Sequence, residues 1–365
     1  MTEKKTNLTE ALLAFFEKKP EYCEPYGNGH INDTFLVITD KKYILQKMNT
    51  TIFLNPVGLM ENIVRVTDHI RSKTEKMGGD VARCSLTVVP TLEGSNFFKD
   101  SKNGYWRLYD FVMSTVTKER VEKPKDFYTC AKAFGHFQQM LADFPAENLF
   151  ESIANFHNTP WRYEKLMNAV TLNRCGRLEN VIAEVKFVKE REEFCKILEK
   201  AKANGSLPLR VTHNDTKLNN ILFDEVTDEP VCVIDLDTIM PGYSVNDFGD
   251  SIRFGANTAT EDETDLSKVS LDLKLFEIYA KGFIEGCNGS LTQSEIDLLP
   301  VGAIMMTLEC GMRFLTDYLE GDIYFKIHRE HHNLERARNQ FALVADMEQK
   351  LPQMREIIKN LHSES

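Results

Sequence analysis

Four things are scarce in this 365-residue chain, and each scarcity argues against a class of structure or function. No stretch approaches the roughly 18 to 20 consecutive apolar residues that a membrane span needs. A cytoplasmic protein with no membrane partner is therefore expected. Basic residues are outnumbered, 44 Lys and Arg against 55 Asp and Glu for a net charge of −11, whereas nucleic-acid binders concentrate an excess of Lys and Arg. No nucleic-acid partner is expected, and an anionic substrate would have to be met by local charges or by a metal. The eight cysteines include no CxxC pair, and several lie in apolar runs such as "VCVIDL". They read as reduced, packed thiols. Only two tryptophans, Trp106 and Trp161, are present, little material for the aromatic cage that holds a quaternary ammonium ion.

What is present changes character along the chain. "MTEKKTNLTEALLAFFEKK" has too short an apolar part for a signal-peptide core and reads as an amphipathic helix. "YGNGHINDTFLVITDKKYILQKMN" holds two β-rich runs around Asp40-Lys41-Lys42, a hairpin. "NPVGLMENIVRVTDHIRSKTEK" has helical apolar spacing behind a proline, and "CSLTVVPTL" and "YWRLYDFVM" read as strands. After Met113 the pattern is almost all helical, the stretch 176–204 being a charged helical face, and only "NNILFDE" and "PVCVIDLDT" suggest short strands. The expected fold is α+β: a small antiparallel β-sheet lobe with one helix over residues 1–113, and a larger, mainly helical lobe over 114–365.

"VTHNDTKLNNILFDE" carries the chemistry. Asp215 and Asn220 stand five positions apart, and "VIDLD" then supplies Asp235 and Asp237 at the end of an apolar strand. Magnesium takes hard oxygen ligands at about 2.0 to 2.1 Å, one or two from the protein and the rest from phosphate and water. Asn220 and Asp235 suit it. Asp215 is then free to accept the proton of an attacking hydroxyl. Lys217 would point at the transferring phosphoryl group, and His213 would brace the loop. An Asp, a Lys two positions on, an Asn five positions on, then a strand and an Asp, is the catalytic-loop grammar of protein-kinase-like phosphotransferases.

Other signals are weighed against that grammar. Asp247-Phe248-Gly249 spells the tripeptide that binds magnesium in protein kinases, but "VIDLD" already fills that place, so Asp247 or Asp250 is expected to brace the loop and cap the next helix. In "YGNGHIND", Gly27 and Gly29 would let the backbone approach ATP phosphates. The third strand, "YILQK", offers Gln46 where kinases keep a lysine, and Lys47 alternates to the other face. Glu61, on the following helix, is either an ion-pair partner for that position or a surface carboxylate. His328, His331 and His332 read as a polar loop rather than a metal site, and the Met-rich "VGAIMMTLECGMRFLTDYLEG" as a core helix in which Arg313 and Asp317 could pair.

From about Pro25 to Lys350 the chain resembles the aminoglycoside phosphotransferase and choline kinase group, and within it the branch of N-acetylhexosamine 1-kinases. "EPYGNGHIN", "LRVTHNDTKLNNIL", "IDLDTIMPG" with "DFGDSIRFGA", and "ECGMRFLTDYLEGDIYF" carry the resemblance. It implies transfer of phosphate from ATP, with Mg2+, to the anomeric hydroxyl of N-acetylglucosamine or N-acetylgalactosamine, in a two-lobed protein-kinase-like fold. It also implies that His30, Arg313 and Tyr324 hold the sugar beside Asp215. A neutral polyol suits such hydrogen-bonding side chains. The expected partners are ATP and a small sugar, and the chain is expected to be a monomer. Two other readings stay open: a kinase of the same group acting on another small alcohol, and a catalytically silent, kinase-shaped binding protein.

Overall fold

Apolar residues near the N-terminus wind into α1 (Thr2–Phe15), which buries Ala11, Leu12 and Phe15. The computed structural model describes residues 2–27, 31–118, 121 and 123–363, with side chains from residue 7 onward. After α1 come β1 (Tyr22–Pro25), β2 (Asp33–Ile38), β3 (Lys42–Met48) and α2 (Pro56–Lys76). Helix α2 starts as its sequence requires: the Asn55 side chain accepts from Gly58 N at 3.0 Å, Pro56 occupies the first turn, and Lys73 and Lys76 lie in the last. Then follow β4 (Val88–Val89), β5 (Phe98–Lys99), β6 (Tyr105–Asp110), β7 (Thr115–Thr117), α3 (Pro124–Met140) and α4 (Thr159–Leu172). The expected helical stretch 176–204 is three short helices, α5 (Ile182–Lys189), α6 (Glu192–Cys195) and α7 (Ile197–Ala203). Strands β8 (Arg210–Thr212), β9 (Ile221–Asp224) and β10 (Pro230–Val233) precede α8 (Ser244–Gly255), α9 (Leu273–Cys287), α10 (Gln293–Glu320) and α11 (His332–Ser363).

The chain divides into two compact units, residues 1–118, 143–154 and 219–241 forming one and the rest the other. In the first unit, β1-β2-β3-β6-β4 form an antiparallel sheet, with β5 also on β6. One face of that sheet presents Val37, Leu45, Trp106 and Leu108, which cluster with Ala11, Leu12 and Phe15 of α1. The period-2 alternation of a strand sends Gln46 and Arg107, cross-strand partners in the β3–β6 pair, to the opposite face. A second small sheet, β10-β9-β7, draws residues 219–241 into this unit through antiparallel pairing with Thr115–Thr117.

The second unit is helical. Two of its crossings are so close that only glycine fits: a Cβ on Gly135 of α3 would lie 2.4 Å from Phe283 O of α9, and one on Gly249 of α8 would lie 2.3 Å from Gly302 O of α10. Helix α10 opens with a capping box, Thr292 with Glu295, and ends at Gly321 with φ of 105°. Contrary to the expectation that no such stretch exists, α10 is long and apolar enough to cross a membrane; 83% of its apolar window is buried, and it is a core helix of this unit. No disulfide joins any of the eight cysteines.

Candidate active site

In the second unit, β8 delivers the chain into the loop that carries Asp215 and Lys217. Arg210 at the start of β8 grips the fully buried Glu295 through two bonds of 2.9 and 2.7 Å, and Ser244 Oγ donates to the same carboxylate at 2.8 Å. One carboxylate thus ties together the starts of β8, α8 and α10. Asp247 accepts from His213 N at 2.9 Å, Asn214 N at 2.8 Å and Gln138 Nε2 at 2.9 Å. Its burial pushes its carboxyl up from the ordinary value, against the pull of those amides. His213 is wedged by Phe134 and Phe137, and its Nδ1 accepts from Asp215 N at 3.3 Å. Asn214 adopts φ of 63°, a conformation costly for a side-chain-bearing residue and common at functional sites. Thr216 Oγ1 donates to Asp247 O, Ser251 Oγ to Thr216 and Tyr279 OH to Ser251 Oγ. The loop is pinned at four successive residues, His213 to Thr216.

Held this way, Lys217 Nζ lies 2.5 Å from Asp215 Oδ1. Burial draws the Lys217 ammonium down, but Asp215 and then Asp250 outweigh it and leave it above its ordinary value. Asp250 itself pairs with Arg253 at 3.0 Å. Loop bracing therefore falls to Asp247; neither aspartate caps α8, which starts at Ser244 without a side-chain cap. Phe248 packs with Phe276, Tyr279 and Phe283, and Gly249 serves the α8–α10 crossing. All three residues of the kinase-like tripeptide are structural here.

The same unit gathers a polar cluster that the sequence reading saw only in part, at Arg313 and Tyr324. Glu309, 1% exposed on α10, bonds His157 Nδ1 at 2.8 Å and accepts from Thr159 Oγ1 at 2.7 Å. Burial alone would raise its carboxyl, but His157, Arg162 and Arg313 more than reverse that and lower it. One turn on, Arg313 lies over the rings of Phe156 and Phe325 at 5.4 and 5.5 Å, and it makes no ion pair with Asp317. Asp317 instead accepts from the backbone of Ile323, Tyr324 and Phe325 at 2.8 to 2.9 Å, fixing the segment that presents the exposed Tyr324. Arg162 stands nearby; burial and then repulsion from Arg313 lower its pKa. The buried atoms His157 Nε2 and Arg162 Nε have no hydrogen-bond partner among the described residues. Buried polar atoms are seldom left so. The sequence reading marked Arg313 and Tyr324 but not Glu309, His157, Thr159 or Arg162, because the bonds that join them reach across some 150 positions.

In the first unit, Ile234 N donates to Asn220 O at 2.9 Å beside the Val233–Ile221 pair, so Asn220 and Asp235 sit at facing ends of β9 and β10. Asp235 is exposed and left-handed, φ 60° and ψ 56°. No group of three His, Cys, Asp or Glu side chains among the described residues is arranged to hold a metal. The oxygen pair of Asn220 and Asp235 fits a hard cation that takes most of its shell from phosphate and water. Asp237, 3% exposed, is occupied instead: Arg107 Nη1 lies 2.5 Å away and Asn32 Nδ2 donates at 2.6 Å. Burial would lower the Arg107 guanidinium, but Asp237, Tyr109 and Asp235 raise it above its ordinary value.

Gln46 is engaged at both ends, accepting from Arg107 Nε and Nη2 at 3.0 and 2.8 Å and donating to Thr34 Oγ1 at 3.1 Å. Lys47 lies over the Trp106 ring on the other face, at 5.5 Å. Glu61 is the surface carboxylate, 3.4 Å from Arg65 one turn along α2. Its neighbour Asn62 is fully buried and donates to Phe150 O and Ile239 O at 2.7 and 3.0 Å. Gly27 has φ of 76°, which favours glycine; Gly29 and His30 lie outside the described residues. The three histidines take separate partners: His332 bonds Asp262, His331 bonds Tyr318, and His328 N donates to His332 Nδ1.

Residues 23–268 match the model of the phosphotransferase enzyme family, APH. A microcompartment-associated aminopropanol kinase shares the fold with a TM-score of 0.58 and 15% identity, over 96% of this chain and 98% of that one. An aminoglycoside phosphotransferase from Alicyclobacillus acidocaldarius gives 0.60 and 12%, over 96% of each chain. Amicoumacin kinase in complex with AMP-PNP, Ca2+ and Ami gives 0.59 and 13%, over 94% and 93%. At such identities the likeness establishes the fold: protein-kinase-like, with an antiparallel sheet part and a larger helical part.

Proposed function

The chain belongs to the phosphotransferase enzyme family, whose members use ATP, and from that premise we propose that it phosphorylates N-acetylglucosamine or N-acetylgalactosamine at the anomeric hydroxyl. Asp215 accepts the proton of that hydroxyl as its oxygen bonds to the γ-phosphorus; the bond from phosphorus to the β,γ-bridging oxygen breaks, and its electron pair leaves with ADP. Lys217 faces the equatorial oxygens of the transferring group, where negative charge is spread. Asn220 and Asp235 are the residues that would hold magnesium, which when bound neutralises the β- and γ-phosphate oxygens. Arg313 and Tyr324, with His30, hold the sugar.

The observation that carries the acceptor class is Arg313: a guanidinium over two aromatic rings, with no hydrogen bond or ion pair among the described residues, and with a second guanidinium nearby, Arg162, whose pKa is lowered by burial and then by Arg313. Glu309, the carboxylate that interacts with both, is already held by His157 and Thr159. Such a surface repels ammonium groups, which argues against choline, aminopropanol and aminoglycosides as acceptors. It suits a neutral ligand dense in oxygen acceptors, and an acetamido carbonyl with neighbouring hydroxyls is one. The choice of the anomeric position rests on the sequence resemblance.

The test incubates the protein with ATP, magnesium and, in turn, N-acetylglucosamine, N-acetylgalactosamine, choline, aminopropanol and kanamycin, then locates new phosphate by phosphorus–proton coupling. Coupling to H1 of either acetamido sugar is the expected result. Transfer to C6, or to the cationic acceptors alone, would end the reading. Arg313→Ala is expected to raise the sugar KM at least about tenfold, the order of one charged hydrogen bond lost, with ATP KM little changed.

A further inference from the structure

The third strand lacks its lysine, yet the face on which that lysine would stand is not without a cation. Arg107 occupies the cross-strand position opposite Gln46 and is 2% exposed. Two of its nitrogens are gripped by one oxygen of Gln46, at 3.0 and 2.8 Å, and the third meets Asp237 at 2.5 Å. Gln46 is in turn fixed by Thr34 on β2, and the other oxygen of Asp237 by Asn32, whose own Oδ1 accepts from Asn49 N at 3.0 Å. A guanidinium hydrogen-bonded to Gln46 through two nitrogens and ion-paired with Asp237 at the third cannot swing to a ligand without abandoning a buried carboxylate.

We propose that Arg107 is a positioning residue for phosphoryl transfer: from the neighbouring strand it supplies the charge that the third strand lacks, and it acts through Asp237 on the metal-holding Asp235 rather than on the phosphates themselves. Asp237 stands two positions beyond Asp235, whose backbone is in the left-handed region, a conformation that costs energy unless its surroundings hold it. Asp237 is the anchor that does so, and Arg107 holds the anchor. Partners of this outer kind typically account for about 10- to 100-fold in metal affinity. Gln46 then has a specific duty. A lysine there would set two cations side by side, whereas its carboxamide accepts from the guanidinium and donates onward to Thr34.

The inference rests on the assignment of Asp235 to the metal, and the experiment separates the two. Full-length variants are titrated with manganese(II) and a non-hydrolysable ATP analogue, read by electron paramagnetic resonance, with thermal melting and steady-state kinetics alongside. Arg107→Gln alone strands a buried carboxylate and is expected to melt early. Arg107→Gln with Asp237→Asn removes both charges and is expected to melt near the parent, yet bind the manganese–nucleotide pair at least about tenfold more weakly, with lower kcat and an unchanged acceptor KM. Gln46→Lys with Arg107→Gln moves the cation to the third strand and is expected to recover most of the lost affinity. Parent-like manganese–nucleotide affinity in the neutral double variant overturns the proposal. So does a folded Gln46→Lys, Arg107→Gln protein that recovers none. If Asp235→Ala binds manganese like the parent, the metal assignment has failed and the role of Arg107 falls with it; if Asp235→Ala loses the metal while the neutral double variant keeps it, only Arg107 was misjudged.

Discussion

Asp215 and Lys217 meet at 2.5 Å on a loop whose backbone amides are captured by Asp247 and His213, so the carboxylate is presented rather than left to wander. Asp215→Asn keeps the size of the side chain and removes its ability to take a proton. Turnover is expected to fall about 100-fold or more, with nucleotide affinity from fluorescence titration within a few-fold of the parent; near-parent turnover would disqualify Asp215 as the base. Glu309 supplies the pH dependence at this scale. Its folded pKa lies below the ordinary 4.5 because His157, Arg162 and Arg313 outweigh its burial. Between the two values the unfolded chain binds the extra proton, so this stabilisation is fully present above about pH 5 and drains away as pH falls through the folded pKa. The difference in urea midpoint between parent and Glu309→Gln is accordingly expected to be large at pH 7 and to shrink toward pH 4. A gap that stays constant over that range would contradict the assignment.

At the scale of elements, glycines decide how closely helices cross. Gly135 and Gly286 face each other where α3 meets α9, and a Cβ at 135 would collide with backbone, which cannot rotate away as a side chain could. Gly135→Ala is expected to cost about 1 to 3 kcal/mol in chemical denaturation, despite alanine being the better helix former; an unchanged midpoint would show that the crossing gives way. Elements were legible where the pattern is local. The hairpin turn at Asp40, the α2 start at Asn55-Pro56 and the core helix α10 all declare themselves by turn residues, caps and periodicity. Strands β1, β5, β7 and β8 escaped notice, being two to four residues long, too short for alternation to register. Arg107 escaped for another reason: strand alternation marks it only as facing away from Trp106 and Leu108, and an arginine there reads as facing solvent.

At the scale of the whole molecule, the first unit is discontinuous in sequence. Residues 219–241 complete it by adding β9 and β10 beside β7 and by bringing Asp237 to the buried Arg107. A fragment of residues 1–118 would leave that guanidinium without its carboxylate and Asn62 without its acceptors on Phe150 and Ile239. It is expected to lack a cooperative thermal transition by circular dichroism; a sharp one would show that the sheet closes without the later segments. By itself the sequence determined the spacing of the residues proposed for catalysis, because Asp215, Lys217 and Asn220 lie within six positions and Asp235 follows a strand just beyond, and at such short separations the covalent chain limits where the side chains can go. Only the tertiary structure decided what surrounds them. The pairing of Arg107 with Asp237 spans 130 positions, that of His157 with Glu309 spans 152, and the use of Asp247-Phe248-Gly249 as brace, core and crossing depends on α3, α9 and α10. Contacts of that reach leave no periodic trace along the chain, since what fixes them is the packing of distant elements rather than the spacing of neighbours.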